Sequence, residues 1–221
     1  MLLSKNLPMN TPHVVLLGDS IFDNARYVPG GPAVIDQLRE RLPLGWRATL
    51  VANDGNVVAD LARQIALIPR DATHLVVSVG GNDALKHQNL LSNDAQNGLA
   101  VLSGLAHAAS TFTDTYREAL AELKALAKPI TVCTIYNGHL PDPVGTAARA
   151  AVAVFNDKIY MVANELSLAV LELRGICTEP SDFANPIEPS GKGGAKIARA
   201  IVRHVQAMQK TSTCWRGGMQ A

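Results

Sequence analysis

Five short runs of valine, leucine and isoleucine punctuate the chain, at His13 to Gly18, Trp46 to Ala52, His74 to Val79, Ile130 to Ile135 and Leu168 to Leu173. Runs that stay apolar at successive positions suit strands covered on both faces, as in a parallel sheet, better than strands with one wet face. Between them, apolar positions recur at helical spacing. Val34, Leu38 and Leu42 follow Pro32, which suits a first helical turn. Tyr116, Leu120 and Leu123 form a second stripe, Phe155, Ile159, Val162 and Leu166 a third, and Ile197, Ile201, Val205 and Met208 a fourth. Each stripe reads as the core-facing side of a helix. Strand and helix alternating over the whole length predict an α/β fold, a three-layer α/β/α sandwich with a parallel sheet of about five strands.

Leu85 to Ser110 is the least regular stretch, mixing Lys86, His87, Gln88 and Asn89 with small apolar residues. Because it directly follows the third apolar run, it is expected to form a lid or a substrate-contacting insertion. The remaining organisation is simple: an N-terminal extension over residues 1–12, one domain over 13–210, and a frayed tail from Thr211 to Ala221.

Composition narrows the chemistry. With 221 residues, 48% of them hydrophobic and 18% charged, the chain can bury a full core. Twenty basic against 19 acidic residues, with no recurrent basic cluster, leave no electrostatic footprint for nucleic acid. A small, weakly charged molecule is the expected partner. Cys133, Cys177 and Cys214 show no paired metal-binding or redox spacing, and buried free thiols are expected for the first two. No apolar run approaches the roughly 20 residues of a membrane helix, and the start of the chain lacks the apolar core of a secretion signal. A cytoplasmic location is the expectation. No cofactor fingerprint is present, and Asp19 with Asp23 lacks the further acidic pair that a metal site would need.

The chemistry gathers where apolar runs end. Gly18-Asp19-Ser20 closes the first, Asn53-Asp54-Gly55 the second and Gly80-Gly81-Asn82-Asp83 the third. In open parallel sheets, ligands collect outside the carboxyl ends of the strands, so three polar segments there are expected to share one pocket. Acyl transfer needs a nucleophile, a proton acceptor and donors aimed at the developing oxyanion. Ser20 is the candidate nucleophile. Its own N–H, the N–H of Gly55 and the side-chain amide of Asn82 are candidate oxyanion donors, the amide being unable to lose its proton at neutral pH.

At these three blocks, Leu17-Gly18-Asp19-Ser20, Asn53-Asp54-Gly55 and Gly80 to Asp83, the sequence resembles the SGNH branch of the GDSL hydrolases. The resemblance runs from Val14 to about Ile201. It implies a flavodoxin-like sandwich that hydrolyses esters or O-acyl groups, with Ser20 attacking and Ser20, Gly55 and Asn82 forming the oxyanion hole. The family's last block, Asp-x-x-His, departs here: Asn185 stands at the aspartate position and Glu188 at the histidine position.

Three destinations for the Ser20 proton stay open. Glu188 can accept it if burial or a neighbouring carboxylate, Asp182 or Asp19, raises its pKa from about 4.3. A histidine from another loop, His139 or else His87, can replace the missing one. His13 and His74 begin their strands at the opposite edge, while His107 and His204 fall in helical stretches. In the third alternative the pocket persists without efficient hydrolysis, as a binding site for an acyl or carbohydrate ligand, or the polar strand ends merely cap helices.

Overall fold

The computed structural model describes residues 11–91 and 97–217. One parallel sheet contains β1 (His13–Gly18), β2 (Arg47–Leu50), β3 (His74–Ser78), β4 (Ile130–Cys133) and β5 (Ala169–Leu171), in the spatial order β2-β1-β3-β4-β5. Each strand lies inside the apolar run that predicts it. The helices are α1 (Val34–Arg41), α2 (Leu61–Ile65), α3 (Gly81–Leu85), α4 (Gly98–Ala125), α5 (Val144–Glu165) and α6 (Gly191–Gly217).

The unbroken hydrophobicity of β1 has a direct structural cause. Val14 and Leu16 enter a core beneath α1 and α6, while Val15 and Leu17 enter a second core beneath α2, α4 and α5. Successive side chains leave opposite faces of a strand, so a central strand with helices on both sides must be apolar at every position. Val34, Leu38, Ile197, Ile201 and Val205 fill the first core. Tyr116, Leu120, Leu123, Phe155, Ile159 and Val162 fill the second. The helical stripes therefore face the sheet, as their spacing requires.

Three local expectations change. Pro32 lies just ahead of α1, whose N-cap is Ala33. The second half of the irregular stretch is ordered helix, because Asn97 caps α4 by accepting hydrogen bonds from the N–H groups of Leu99 and Ala100. Small residues hid its period: Gly98, Ala100, Ser103, Gly104 and Ala106 carry little apolar contrast. The tail expected from Thr211 begins as helix, since nothing between Ala195 and Arg216 is glycine or proline and α6 runs on to Gly217. The rest of the expected tail, 218–221, and residues 1–10 of the expected extension lie outside the described residues.

At the amino ends of the strands, His13 bridges its neighbours. Its Nδ1 lies 3.1 Å from Asp71 Oδ1 and its Nε2 2.7 Å from Thr49 Oγ1. Cys133 and Cys177 are buried free thiols. Among the described residues, no helix is long and apolar enough to cross a membrane.

The strand order reverses between β1 and β3, and the crevice outside their carboxyl ends is where such sheets place ligands. Ser20 follows β1 and Asn82 follows β3, so both arrive at this crevice.

Candidate active site

Glycine at 18 is dictated by crowding. It has φ +124°, and an added Cβ would fall 1.7 Å from the carbonyl oxygen of Ser78. That close approach lets Asp19 N–H donate to Ser78 O at 3.0 Å, stitching the exit of β1 to the end of β3. Gln64 on α2 clasps the same glycine from the other side, accepting from its N–H at 2.7 Å and donating to its carbonyl at 2.7 Å. The chain then turns, Phe22 and Asp23 N–H both donating to Asp19 O, and Ser20 is presented at the crevice.

The second block is fastened to the first. Asn53 N–H donates to Gly18 O at 3.1 Å, and Asp54 N–H donates to Asp23 Oδ2 at 3.0 Å. The Asp54 carboxylate takes hydrogen bonds from Arg26 Nη1 at 2.9 Å and Tyr27 Oη at 3.1 Å. Gly55 sits beyond this clamp with φ +79°, a conformation glycine adopts without a Cβ penalty. The third block closes the ring. Asn82 Nδ2 donates to the carbonyl of Asn56 at 2.9 Å, and Asp83 Oδ2 accepts from Val58 N–H at 3.1 Å. Among the described residues, the backbone N–H groups of Ser20 and Gly55 have no acceptor.

Glu188 arrives from the far end of the sequence. Asn185 Oδ1 accepts from the N–H groups of Ile187 and Glu188, both at 2.9 Å, winding residues 185–188 into a tight turn. Tyr136 Oη donates to Ile187 O, and Asn24 Nδ2 donates to Pro189 O at 3.0 Å. So anchored, Glu188 is only 6% exposed, and Ser20 Oγ donates to its Oε1 at 3.0 Å. Its Oε2 is buried without a partner among the described residues.

Burial pushes the Glu188 carboxyl up to about 7, helped by the charge of Asp54 and opposed by the Ser20 hydrogen bond and Arg26. Asp19, 3% exposed, is pushed up to about 8, chiefly by burial, with Glu188 and Asp83 adding to the rise. Taking a carboxylate out of water disfavours its charge, and both groups show that effect.

The other candidates fall elsewhere. Asp182 is not the carboxylate beside Glu188: it accepts from Thr178 and Glu179 N–H and from Lys196 Nζ at 2.6 Å, tying α6 to the preceding loop. Asp54 takes that electrostatic place. Asn185 supports the loop backbone, not a catalytic proton relay. The His139 ring stacks on Phe183, centroids 6.3 Å apart, while the residue's backbone N–H donates to Pro186 O. His87 lines the crevice wall without bonding Ser20. Sequence reasoning missed Gln64, Asn24 and Tyr27, whose bonding partners Gly18, Pro189 and Asp54 lie 46, 165 and 27 residues away and leave no local signal.

The crevice opens into a cavity of about 290 Å³ lined at one end by Ser20, Asn82 and Glu188. Gly55 is not part of that wall. No cluster of three or more metal-ligating side chains occurs among the described residues.

Comparison with known proteins agrees with this architecture. The sequence matches the GDSL-like lipase/acylhydrolase family over residues 16–195. Similar solved structures include the extracellular lipase of Streptomyces rimosus, 17% identical with a TM-score of 0.63, the match covering 89% of this chain and 99% of that one. Phospholipase A1 of Streptomyces albidoflavus NA297 is 16% identical with a TM-score of 0.64, over 88% and 99% of the two chains. The acetylxylan esterase Axe2 of Geobacillus stearothermophilus is 21% identical with a TM-score of 0.61, over 88% and 95%. No curated protein matches the sequence. With its fold shared by these structures and most of its length matched, the chain belongs to the GDSL-like lipase/acylhydrolase family of carboxylic ester hydrolases.

Proposed function

We propose that the protein hydrolyses carboxylic esters through Ser20, with Glu188 as the base and the N–H groups of Ser20 and Gly55 and the Asn82 amide as oxyanion donors. The Ser20 Oγ to Glu188 Oε1 hydrogen bond of 3.0 Å carries this reading. Ser20 Oγ attacks the ester carbonyl carbon while its proton passes to Glu188. The tetrahedral intermediate expels the alcohol, which takes that proton back from Glu188. Water then attacks the acyl-serine, Glu188 again receives and returns a proton, and carboxylic acid leaves with Ser20 restored.

A carboxylate serves as base near neutrality only if its pKa is tuned upward, and a value of about 7 matches Glu188 to that task. Proton acceptance also relieves the cost of burying its charge. The negative charge moves from Glu188 to the oxyanion, so the site's total charge does not change along the reaction. With a histidine base, a new ion pair would instead form. Stabilisation therefore falls on preorganised N–H donors.

A fluorophosphonate probe tests the reading. Wild-type protein should gain one adduct by intact mass, and Ser20→Ala should gain none. Absence of an adduct across acid to mildly alkaline pH would instead favour a ligand-binding protein without hydrolytic activity.

A further inference from the structure

The fold neighbours range from a lipase to an acetylxylan esterase, so the family leaves the size of the acyl group open. The cavity supplies an answer. From the catalytic end it extends between the start of α4 and the start of α5, walled by Leu90, Val101, Leu105, Ala148, Ala151 and Val152. Its floor is Phe155, 1% exposed and packed edge-on against Phe112 at 5.2 Å. Apolar walls offer a carbohydrate few hydrogen-bond partners, and unpaired hydroxyl groups are costly to bury. They suit hydrocarbon.

Volume sets the length. A cavity of about 290 Å³ holds about ten groups of the size of water or methylene, at about 30 Å³ each. Gly104 helps to keep that space open. An added Cβ there would meet Leu90 Cδ2 at 2.9 Å, so glycine lets Leu90 seat against α4. Orientation follows from the proton path. The departing alcohol must collect its proton from Glu188, beside which lie the charged Arg26 and Asp54; the acyl chain is left with the apolar side.

Resting on the serine hydrolase reading, we infer that the cavity between α4 and α5 is an acyl-chain pocket, and that the substrates are esters of medium-chain fatty acids, octanoyl to decanoyl. Ala148, Ala151 and Val152, one face of α5, set the chain length.

Hydrolysis of p-nitrophenyl esters from acetate to palmitate tests this. Each buried methylene contributes roughly fourfold in kcat/KM, so octanoate should exceed butanoate by on the order of a hundredfold, with palmitate falling away. Methyl octanoate should be a better substrate than octyl acetate, its mirror in chain placement. Ala151→Phe should lower the octanoate-to-acetate ratio of kcat/KM at least tenfold, a ratio that misfolding alone would not move. Ser20-dependent turnover that is flat or highest with acetate, or that favours octyl acetate, would overturn the acyl pocket and leave the serine hydrolase standing. Calorimetric binding of decanoate to Ser20→Ala judges the cavity separately. Binding that Ala151→Phe in the same background weakens supports the pocket even where the probe fails to label Ser20, and no binding overturns it.

Discussion

Ser20 and Glu188, 168 residues apart in sequence, meet in a buried hydrogen bond of 3.0 Å. Glu188→Gln keeps the size and a hydrogen-bonding group but cannot accept the proton. We expect kcat to fall roughly a hundred- to ten-thousandfold in steady-state assays, with KM little changed. Wild-type-like turnover would remove Glu188 from the mechanism.

The proposed base, Glu188, acts when deprotonated, so kcat/KM should rise with pH through an inflection near its raised value of about 7 and level off above it. Asp54→Asn removes a charge that helps to hold Glu188 up and should move the inflection to lower pH. The inflection reports the Asp19 and Glu188 pair jointly where they interact. A pH-rate profile on wild type and variant measures both effects.

Asn82→Ala removes a proposed oxyanion donor and also its bond to the Asn56 carbonyl. Loss of roughly a hundred- to a thousandfold in kcat is expected. A loss confined to KM would place Asn82 in substrate binding alone.

Asp19 is protonated in the native protein well above the pH at which it ionises when unfolded. Its contribution to stability is thus fully present below 3.8 and is lost as pH rises toward about 8. Asp19→Asn can still accept from Ile21 N–H and carries no charge. Thermal unfolding should show the variant gaining on wild type at pH 9 relative to pH 4, by at least about 1.4 kcal/mol, the worth of one pKa unit. An identical difference at both pH values would sink the idea.

Two glycines should respond differently. Gly18→Ala drives a Cβ against Ser78 O and should cost more than about 4 kcal/mol, seen as loss of soluble folded protein. Gly55→Ala meets nothing within 4 Å, so only its left-handed backbone is strained, costing about 1–2 kcal/mol by urea unfolding, with the N–H and the activity retained.

Much of the fold is legible in the sequence because a central parallel strand must be apolar on both faces, and β1 announces itself as such. The position of Ser20, the proposed nucleophile, and of the three polar blocks is legible for a related reason: strand ends are where a sheet can expose chemistry. The proposed base is less so. Whether Glu188 or a histidine faces Ser20 depends on where the turn wound by Asn185 is held, and that is decided by Tyr136 and Asn24, 51 and 165 residues from the carbonyls they bond, contacts that no local pattern encodes. The start of α4 was hidden for another reason, since alanine and glycine positions give the helical period no contrast.

The bridge of His13 to Thr49 and Asp71 lies at the end of the sheet remote from Ser20. It ties β1 to β2 and to the turn before β3 without drawing on any residue that chemistry requires. Such a separation lets the loops around the crevice drift toward new substrates while the opposite rim keeps the strands in register, a division that would free the catalytic face to diversify.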